Sequence, residues 1–317
     1  MNISIVIRTL NEAAHLDELL TSIAAQELPV DWNVESVIVD SGSTDETLTI
    51  AHRHACRVTH IAKADFSFGR SLNQGCAFAT GDVLVFVSGH CVPTSNTWLI
   101  RLIEPLAEQI AVYSYGRQEG RGPTKFSERR VFQKYFPETS QIPQDGFFIN
   151  NANAAILRRY WDKYRFDEEL TGLEDMHLGK RLVDNGERLA YVADASVYHI
   201  HDESWHQVRN RYEREGMALA GIMPEAAMTF VEFVECTVRS VLKDSYAAMQ
   251  RRALLAKLPS IVAFRFMQYW GSYRGTRLAR HVARAKRRSY FYPDQHLEHQ
   301  QPRETHAANR TTANERA

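Results

Sequence analysis

Three short polar clusters carry the residue types that handle a charged, hydroxyl-rich ligand. The first is Arg8, Thr9, Leu10, Asn11 and Glu12, the second Asp40, Ser41, Gly42, Ser43, Thr44 and Asp45, and the third Ser88, Gly89, His90 and Cys91. Each directly follows a short apolar run. A carboxylate at a strand end, followed by Gly-Ser and a helix start, can accept from a base or a ribose hydroxyl; an ordinary turn with a capped helix has the same composition. Two such clusters after the first two strands together favour the ligand. At the third cluster, a donor with a diphosphate leaving group would need its charge neutralised, commonly by a divalent cation on oxygen ligands. His90 is unusual there, because imidazole suits Zn, Mn or Fe better than Mg. It is either a nitrogen ligand, a hydrogen-bond donor to phosphate without metal, or a ring that fills space.

Two later clusters extend the set. Glu174 and Asp175 open a helical pattern, where the free N–H groups of a helix start stabilise anions. That predicts a low pKa and an ionised carboxylate ready to act as a base, although acidic residues are also the commonest capping choice. His199 and His201 end an apparent strand, and alternation puts both rings on one face, suited to metal or phosphate. Gln207, Arg209, Arg211 and Arg214 follow on a helix, where they either meet phosphate or form a solvated surface.

The elements that must position these residues show in the apolar spacing. Residues 3–7, 34–39, 57–61 and 83–87 read as strands. Residues 13–25 have helical spacing, with Leu16, Leu19, Leu20 and Ile23 on one side, and further helices are expected up to about 54 and over 71–79. This alternation predicts an α/β fold with an open, mostly parallel sheet covered by helices on both faces. Ligands in such sheets bind beyond the carboxyl ends of the strands. Downstream, 116–123 is rich in glycine and charge and reads as a flexible loop. Residues 127–135, 156–164 and 174–185 read as helices, and 189–192 and 196–199 as two short strands. From about 204 the pattern is helical, broken by Pro224 and Pro259, and from about 294 it is polar and reads as disordered.

Composition narrows the function classes. The 317 residues carry 38 Lys+Arg and 38 Asp+Glu, a formal net charge of zero, which argues against a general nucleic-acid binder. Four cysteines without zinc-ligand spacing suit a reducing compartment. Neither a secretory leader nor a spanning apolar stretch is expected, which places the protein in the cytoplasm, or peripherally on the inner face of the cell membrane. Residues 245–293 contain no Asp or Glu but many Arg and Lys among apolar and aromatic residues. Such a segment suits an anionic membrane surface, or packs on the catalytic domain or on a second subunit of a homo-oligomer.

Taken in order, these segments resemble glycosyltransferase family 2, the inverting family with the GT-A fold, and in particular its rhamnosyltransferase-like members. The resemblance covers residues 3–216. SIVIRTLNEAAHLDELLTSIAAQ is similar to the family's opening strand, T-x-N-E and helix; VIVDSGSTDETLTIA to its nucleotide-binding turn; and GRSLNQGCAFATGDVLVFVSGHCVP to the approach to its Asp-any-Asp metal motif. FINNANAAILRRYW and FDEELTGLEDMHLGKRL resemble its acceptor side and its Glu-Asp base motif, and HIHDESWHQVRNRYEREG its His-any-His segment. The resemblance implies that Thr9, Asn11, Glu12 and Asp40 hold the nucleoside, with Asp45 and Arg70 supporting the donor site. Ser88 and His90 stand at the metal motif, and His201 and Arg211 lie by the diphosphate. Asp175 is the base, and Glu174 beside it orients the acceptor. It implies a nucleotide-diphosphate sugar donor, a glycan or lipid-linked acceptor, and a divalent cation, Mn or Mg. His90 replaces the Asp that usually ends the metal motif and leaves the cation requirement open.

The expected organisation is a catalytic domain over 1–216, a basic helical extension over 217–293 and a polar tail over 294–317. The competing readings are a nucleotidyltransferase, which would want a Gly-rich loop with Arg and Lys where TLNEAAHL stands, and a non-catalytic sugar-nucleotide-binding scaffold with a degenerate metal site.

Overall fold

The computed structural model describes residues 1–279; the tail expected over 294–317 and the basic residues from 280 onward lie outside them. The elements run in the order β1 (Asn2–Thr9), α1 (Ala13–Ala24), β2 (Asn33–Asp40), α2 (Thr47–Arg53), β3 (Arg57–His60), α3 (Phe68–Phe78), β4 (Val83–Val87) and β5 (Cys91–Pro93). There follow α4 (Trp98–Ala107), β6 (Tyr113–Gly120), α5 (Phe126–Tyr135), β7 (Asn153–Leu157), α6 (Arg158–Tyr164), α7 (Glu174–Asp184) and β8 (Leu189–His199). The last described elements are α8 (Trp205–Ile222), α9 (Phe230–Gln250) and α10 (Leu254–Leu278).

The eight strands form one sheet in the order β3-β2-β1-β4-β7-β6-β8-β5. β1 lies at the centre of the parallel half, between β2 and β4, and its near-continuous burial is what a strand covered on both faces requires. Ile3, Ile5 and Ile7 pack on one face against Leu16, Leu19 and Leu20 of α1, while Val6 packs on the other with Leu72 of α3 and Leu178 of α7. Each of these fully buried side chains contributes about 1.5–3 kcal/mol. The chain steps outward from β1 through β2 to β3 and then crosses to β4 on the other side. The switch in strand order therefore falls between β1 and β4, where ligand crevices form in such sheets.

The middle of the chain departs from the sequence reading in four places. Of the residues expected as a flexible loop over 116–123, those up to Gly120 instead continue β6, paired with β8. Their polar groups are met from neighbouring elements: Gln118 donates to Asn150 Oδ1 at 2.8 Å, and Arg117 pairs with Glu138 at 3.2 Å. The helix expected over 156–164 begins only at Arg158, because Ile156 and Leu157 complete β7, antiparallel to β4. The two strands expected over 189–199 are one, β8, which crosses its bulge opposite Gly116 and Gln118 without a break. Pro259 lies inside α10 and does not end it.

The last three helices are tied to the sheet domain. The boundary expected at 216 falls inside α8, and α8 crosses α10 closely enough that a Cβ on Gly275 would meet the Glu213 carbonyl oxygen at 2.1 Å. Only glycine allows this approach. Val208 and Tyr212 of α8 bury Phe264 of α10. Arg265 is itself buried, donating to Asp244 Oδ2 at 2.8 Å and to the Ser127 carbonyl at 3.3 Å, which joins α10, α9 and α5. No helix among the described residues is long and apolar enough to cross a membrane.

Candidate functional site

A cavity of about 490 Å³ opens at the switch point between β1 and β4. Its walls include Arg8 and Thr9 at the end of β1, Glu12 after it, Ser41 after β2, and Ser88, Gly89 and His90 after β4. Phe66, Phe68 and Lys63 close one side, and Gln207, Asn210 and Arg214 reach in from α8. The register explains the grouping: Thr9 lies opposite Asp40 across the parallel β1–β2 pair, and Val6 opposite Phe86 across β1–β4.

The nucleoside side is a hydrogen-bonded turn. Asp40 accepts from Thr9 Oγ1 at 3.0 Å, from the Gly42 N–H at 2.9 Å and from the Ser43 N–H at 3.0 Å. Burial opposes ionisation of Asp40, and the bonds from Ser43, Gly42 and Thr9 outweigh it and lower its pKa. Gly42 has φ +95°, a conformation that favours glycine and lets the turn fold back on the carboxylate. Asn11, also at positive φ, accepts from the Thr44 N–H at 2.8 Å, and Asp45 accepts from the Ala13 N–H at 3.1 Å and from the Thr47 N–H at 3.0 Å. Asn11, Asp40 and Asp45 thus shape the turn from behind, while Thr9 and Glu12 reach the cavity wall. Arg70 does not reach it; its guanidinium is engaged by Glu168 at 2.9 Å and by the Asp65 carbonyl at 2.6 Å.

The carboxylate pair does not line the cavity; it lies behind Arg8 and Asn151, which do. Leu173 caps α7 in the left-handed region (φ 57°), and Glu174 and Asp175 follow in its buried first turn. Arg8 Nη1 approaches Glu174 Oε1 at 3.3 Å and stands over the Phe68 ring, as does Arg214. Asp175 is 7% exposed and accepts from the Asn151 N–H at 2.8 Å and from its neighbour Met176 at 2.7 Å; Asn151 in turn lines the cavity. The low pKa expected from the helix start is overturned. Burial first, and the Glu174 charge second, push Asp175 up to about 7, against the two backbone N–H bonds and Arg8. Desolvation of a buried carboxylate outweighs the dipole of one helix turn.

The histidines meet on the opposite wall. β5 pairs antiparallel with β8, placing Cys91 opposite His199, and the Ile200 N–H donates to the His90 carbonyl at 3.1 Å. His199 Nε2 lies 3.2 Å from His90 Nε2 and 2.9 Å from His201 Nε2. The other ring nitrogens are each held: His90 Nδ1 by Glu12 at 3.0 Å, His199 Nδ1 by Gln118 at 2.7 Å and His201 Nδ1 by Glu128 at 2.6 Å. Burial, His201 and His90 press His199 well below the usual imidazole range. Glu128 stays ionised, lowered to about 2 despite burial by its bonds to His201 and Arg211. Arg211 does not face a phosphate site; it bridges Glu128 and Glu203. Arg214 is the arginine of α8 that reaches the cavity, and its Nε finds no hydrogen-bond acceptor among the described residues.

A divalent cation fits the residues present. The three imidazole nitrogens lie within 4.8 Å of one another, a spacing that a single ion can span. His90 faces the cavity, while His199 and His201 stand behind it. Sequence reasoning saw His199 only as half of a His-any-His pair and gave no role to Gln118, Glu128 or Asn151. Gln118 and Glu128 are polar residues in stretches without a motif, and only the pairing of β6 and the packing of α5 bring them to the rings; Asn151 lies within the segment FINNANAAILRRYW.

Comparison with known proteins agrees with this architecture. The chain is 26% identical over 256 residues to the O-antigen chain rhamnosyltransferase WbaN of Salmonella anatum, covering 74% of this chain and 80% of that one. It is 23% identical over 291 residues to the O-antigen chain rhamnosyltransferase RfbN of Salmonella typhimurium, covering 86% and 91%. Among solved structures, the mannosyltransferase PcManGT from Pyrobaculum calidifontis, in complex with GDP-Man and Mn2+, superposes with a TM-score of 0.56 at 19% identity over 87% of this chain and 85% of that one. TarS 1–349 of S. aureus in complex with UDP-GlcNAc superposes with a TM-score of 0.52 at 18% identity, over 86% and 92%. These two likenesses place the fold among GT-A proteins. The profile described as Glycosyl transferase family 2 matches residues 4–166, more than half of the chain, and the protein belongs to that family of sugar-nucleotide-dependent glycosyltransferases.

Proposed function

We propose that the protein is an inverting transferase that moves a sugar from a nucleoside-diphosphate donor to a hydroxyl of a glycan or lipid-linked acceptor, with Asp175 as general base. The observation that carries the reading is a switch-point cavity walled by Thr9, the partner of Asp40 in the nucleoside turn, and by Arg8 and Asn151, the partners of a buried Glu174–Asp175 pair that lies directly behind them. A base with a pKa near 7 is well matched to removing a hydroxyl proton as the oxygen attacks. Glu174, held by Arg8, orients the acceptor, and a single displacement on the face opposite the nucleotide inverts the anomeric centre. The transition state has oxocarbenium character, as in glycoside hydrolysis.

Stabilising the departing diphosphate is the larger electrostatic task. Arg214 and Gln207 stand in the cavity wall for that purpose. Gln207 is fixed by the capping box at the start of α8, where its side chain accepts from the Ser204 N–H at 2.8 Å. A divalent cation held by His90, His199 and His201 would supply further positive charge to the leaving group. The two rhamnosyltransferase relatives favour rhamnose as the transferred sugar.

The acceptor side brings in a membrane surface. α9 exposes Val231, Val234, Val238, Leu242 and Met249 along one stripe, and α10 adds Leu255, Leu258 and Val262. Arg251, Arg252 and Lys257 are exposed beside them, and no acidic residue occurs from 245 to 279. This composition favours an anionic lipid surface on the cytoplasmic side, where a lipid-linked acceptor is presented. Flotation with anionic vesicles should carry the protein and neutral vesicles should not; a concentration-dependent dimer without flotation would give the stripe to a second copy.

The first test is a thermal-shift panel with UDP, dTDP, GDP and CMP, each with and without Mn and Mg. Bound ligand stabilises in proportion to the logarithm of its excess. A shift with one nucleoside diphosphate supports the reading and names the donor class, and no shift with any of them removes the donor site.

A further inference from the structure

The three histidines are arranged as metal ligands rather than as a hydrogen-bonded cluster. Each Nδ1 faces an oxygen that can only accept: a carboxylate of Glu12, the amide oxygen of Gln118, a carboxylate of Glu128. The orientation of Gln118 is itself fixed, since its amide nitrogen donates to Asn150 Oδ1. All three rings are thereby set as Nδ1–H tautomers, and all three Nε2 atoms present lone pairs to one another. Nitrogen pairs at 3.2 and 2.9 Å with no proton between them repel. One extra proton would bridge one pair, whereas one cation satisfies all three.

The spacing agrees with an ion. Metal–nitrogen bonds of about 2.05 Å put tetrahedral ligands about 3.3 Å apart, and facial octahedral ones about 2.9 Å apart. Of the nearby carboxylates, Glu12 and Glu128 are engaged by His90 and His201 Nδ1, and Arg211 bridges Glu128 to Glu203, whereas among the described residues the three imidazole Nε2 atoms face only one another. Three neutral nitrogens suit Zn, Co or Ni and give little to Mg, a hard ion that prefers oxygen and keeps its water. Three protein ligands also make a site that needs no nucleotide to complete it, while the cavity at His90 leaves a coordination position open to diphosphate oxygen.

We propose that His90, His199 and His201 form a preassembled three-imidazole centre that binds a borderline transition ion tightly before any donor arrives and discriminates against Mg. Gln118 and Glu128 are its positioning residues, fixing the tautomers of His199 and His201. The role of the ion in transfer rests on the donor-site reading, but the binding itself does not.

The test is titration of chelator-stripped protein with Co2+ in the absence of nucleotide, followed by visible absorption and by calorimetry, with Zn2+ and Mg2+ as competitors. One equivalent of Co2+ should bind with intense visible bands, Zn2+ should displace it, and a large excess of Mg2+ should not. His199→Ala should abolish the bands, and Gln118→Leu should weaken affinity by about 10–100-fold while leaving the fold intact by thermal melting. The second variant keeps the test decisive if the first does not fold. No Co2+ or Zn2+ binding without nucleotide, equal affinity for Mg2+, or unchanged affinity in Gln118→Leu would overturn the proposal. A nucleoside diphosphate titrated separately distinguishes the two readings: metal binding without nucleotide binding sinks the donor site alone, and nucleotide binding without metal binding sinks the three-histidine centre alone.

Discussion

Replacing Asp175 by Asn tests the catalytic assignment most directly, because the structure separates its chemical effect from its structural one. The carboxylate receives two backbone N–H bonds, from Asn151 at 2.8 Å and from Met176 at 2.7 Å. An amide keeps one oxygen for one of them and turns an NH2 group toward the other, donor against donor. An unmet buried donor costs about 1–3 kcal/mol. Losing the repulsion between Asp175 and Glu174 offsets part of that, so melting should fall by only a few degrees. The chemical effect is larger. A positioned general base contributes about 10²–10⁴-fold, equivalent to about 3–5 kcal/mol of barrier. Steady-state transfer to an acceptor, measured at pH 8 where the native base is ionised, should therefore lose about three orders of magnitude in kcat. Nucleoside diphosphate binding, read by thermal shift, should be nearly unchanged, because the donor turn lies on β1 and β2. A kcat within tenfold of the native value, with the fold intact, would refute the assignment; a larger loss in Glu174→Gln would move the base one residue.

Three further outcomes follow from the same geometry. A carboxyl raised to about 7 is protonated at lower pH, so kcat/KM should climb through pH 7; the matching stability contribution, up to about 4 kcal/mol, is complete below about pH 4 and is lost as pH rises through 7. The pH dependence of melting between 4 and 8 should accordingly flatten in Asp175→Asn. Arg211→Ala leaves Glu128 and Glu203 without their cation in a largely buried network and should destabilise by about 3 kcal/mol in urea unfolding, whereas an unchanged midpoint would show that solvent screens the pair. Gly275→Ala places a Cβ 2.1 Å from the Glu213 carbonyl and must displace α8 against α10; a loss of about 1–3 kcal/mol, with weakened nucleotide binding through Gln207 and Arg214, is expected from denaturation and thermal shift.

The parallel half of the sheet and the location of the ligand crevice are legible in the amino-acid pattern alone. Apolar runs such as Ile3 to Ile7, and the one-sided spacing of Leu16, Leu19, Leu20 and Ile23, are local patterns that survive without tertiary context because burial on both faces demands them. The polar clusters after β1, β2 and β4 could be placed at one sheet edge for the same reason. Other features depend on contacts between segments far apart in the chain. β6 is a strand despite its glycines and charges, because β7 and β8 supply its ladder and Asn150 and Glu138 meet its polar side chains. His90 and His199, 109 residues apart, meet through the β5–β8 ladder. Asp175 is raised rather than lowered because desolvation and Glu174 act over a few ångströms in three dimensions, and a helix-start rule cannot contain them. Periodicity encodes which face of an element is buried; the ionisation and ligating capacity of a side chain depend on what the rest of the chain brings against it.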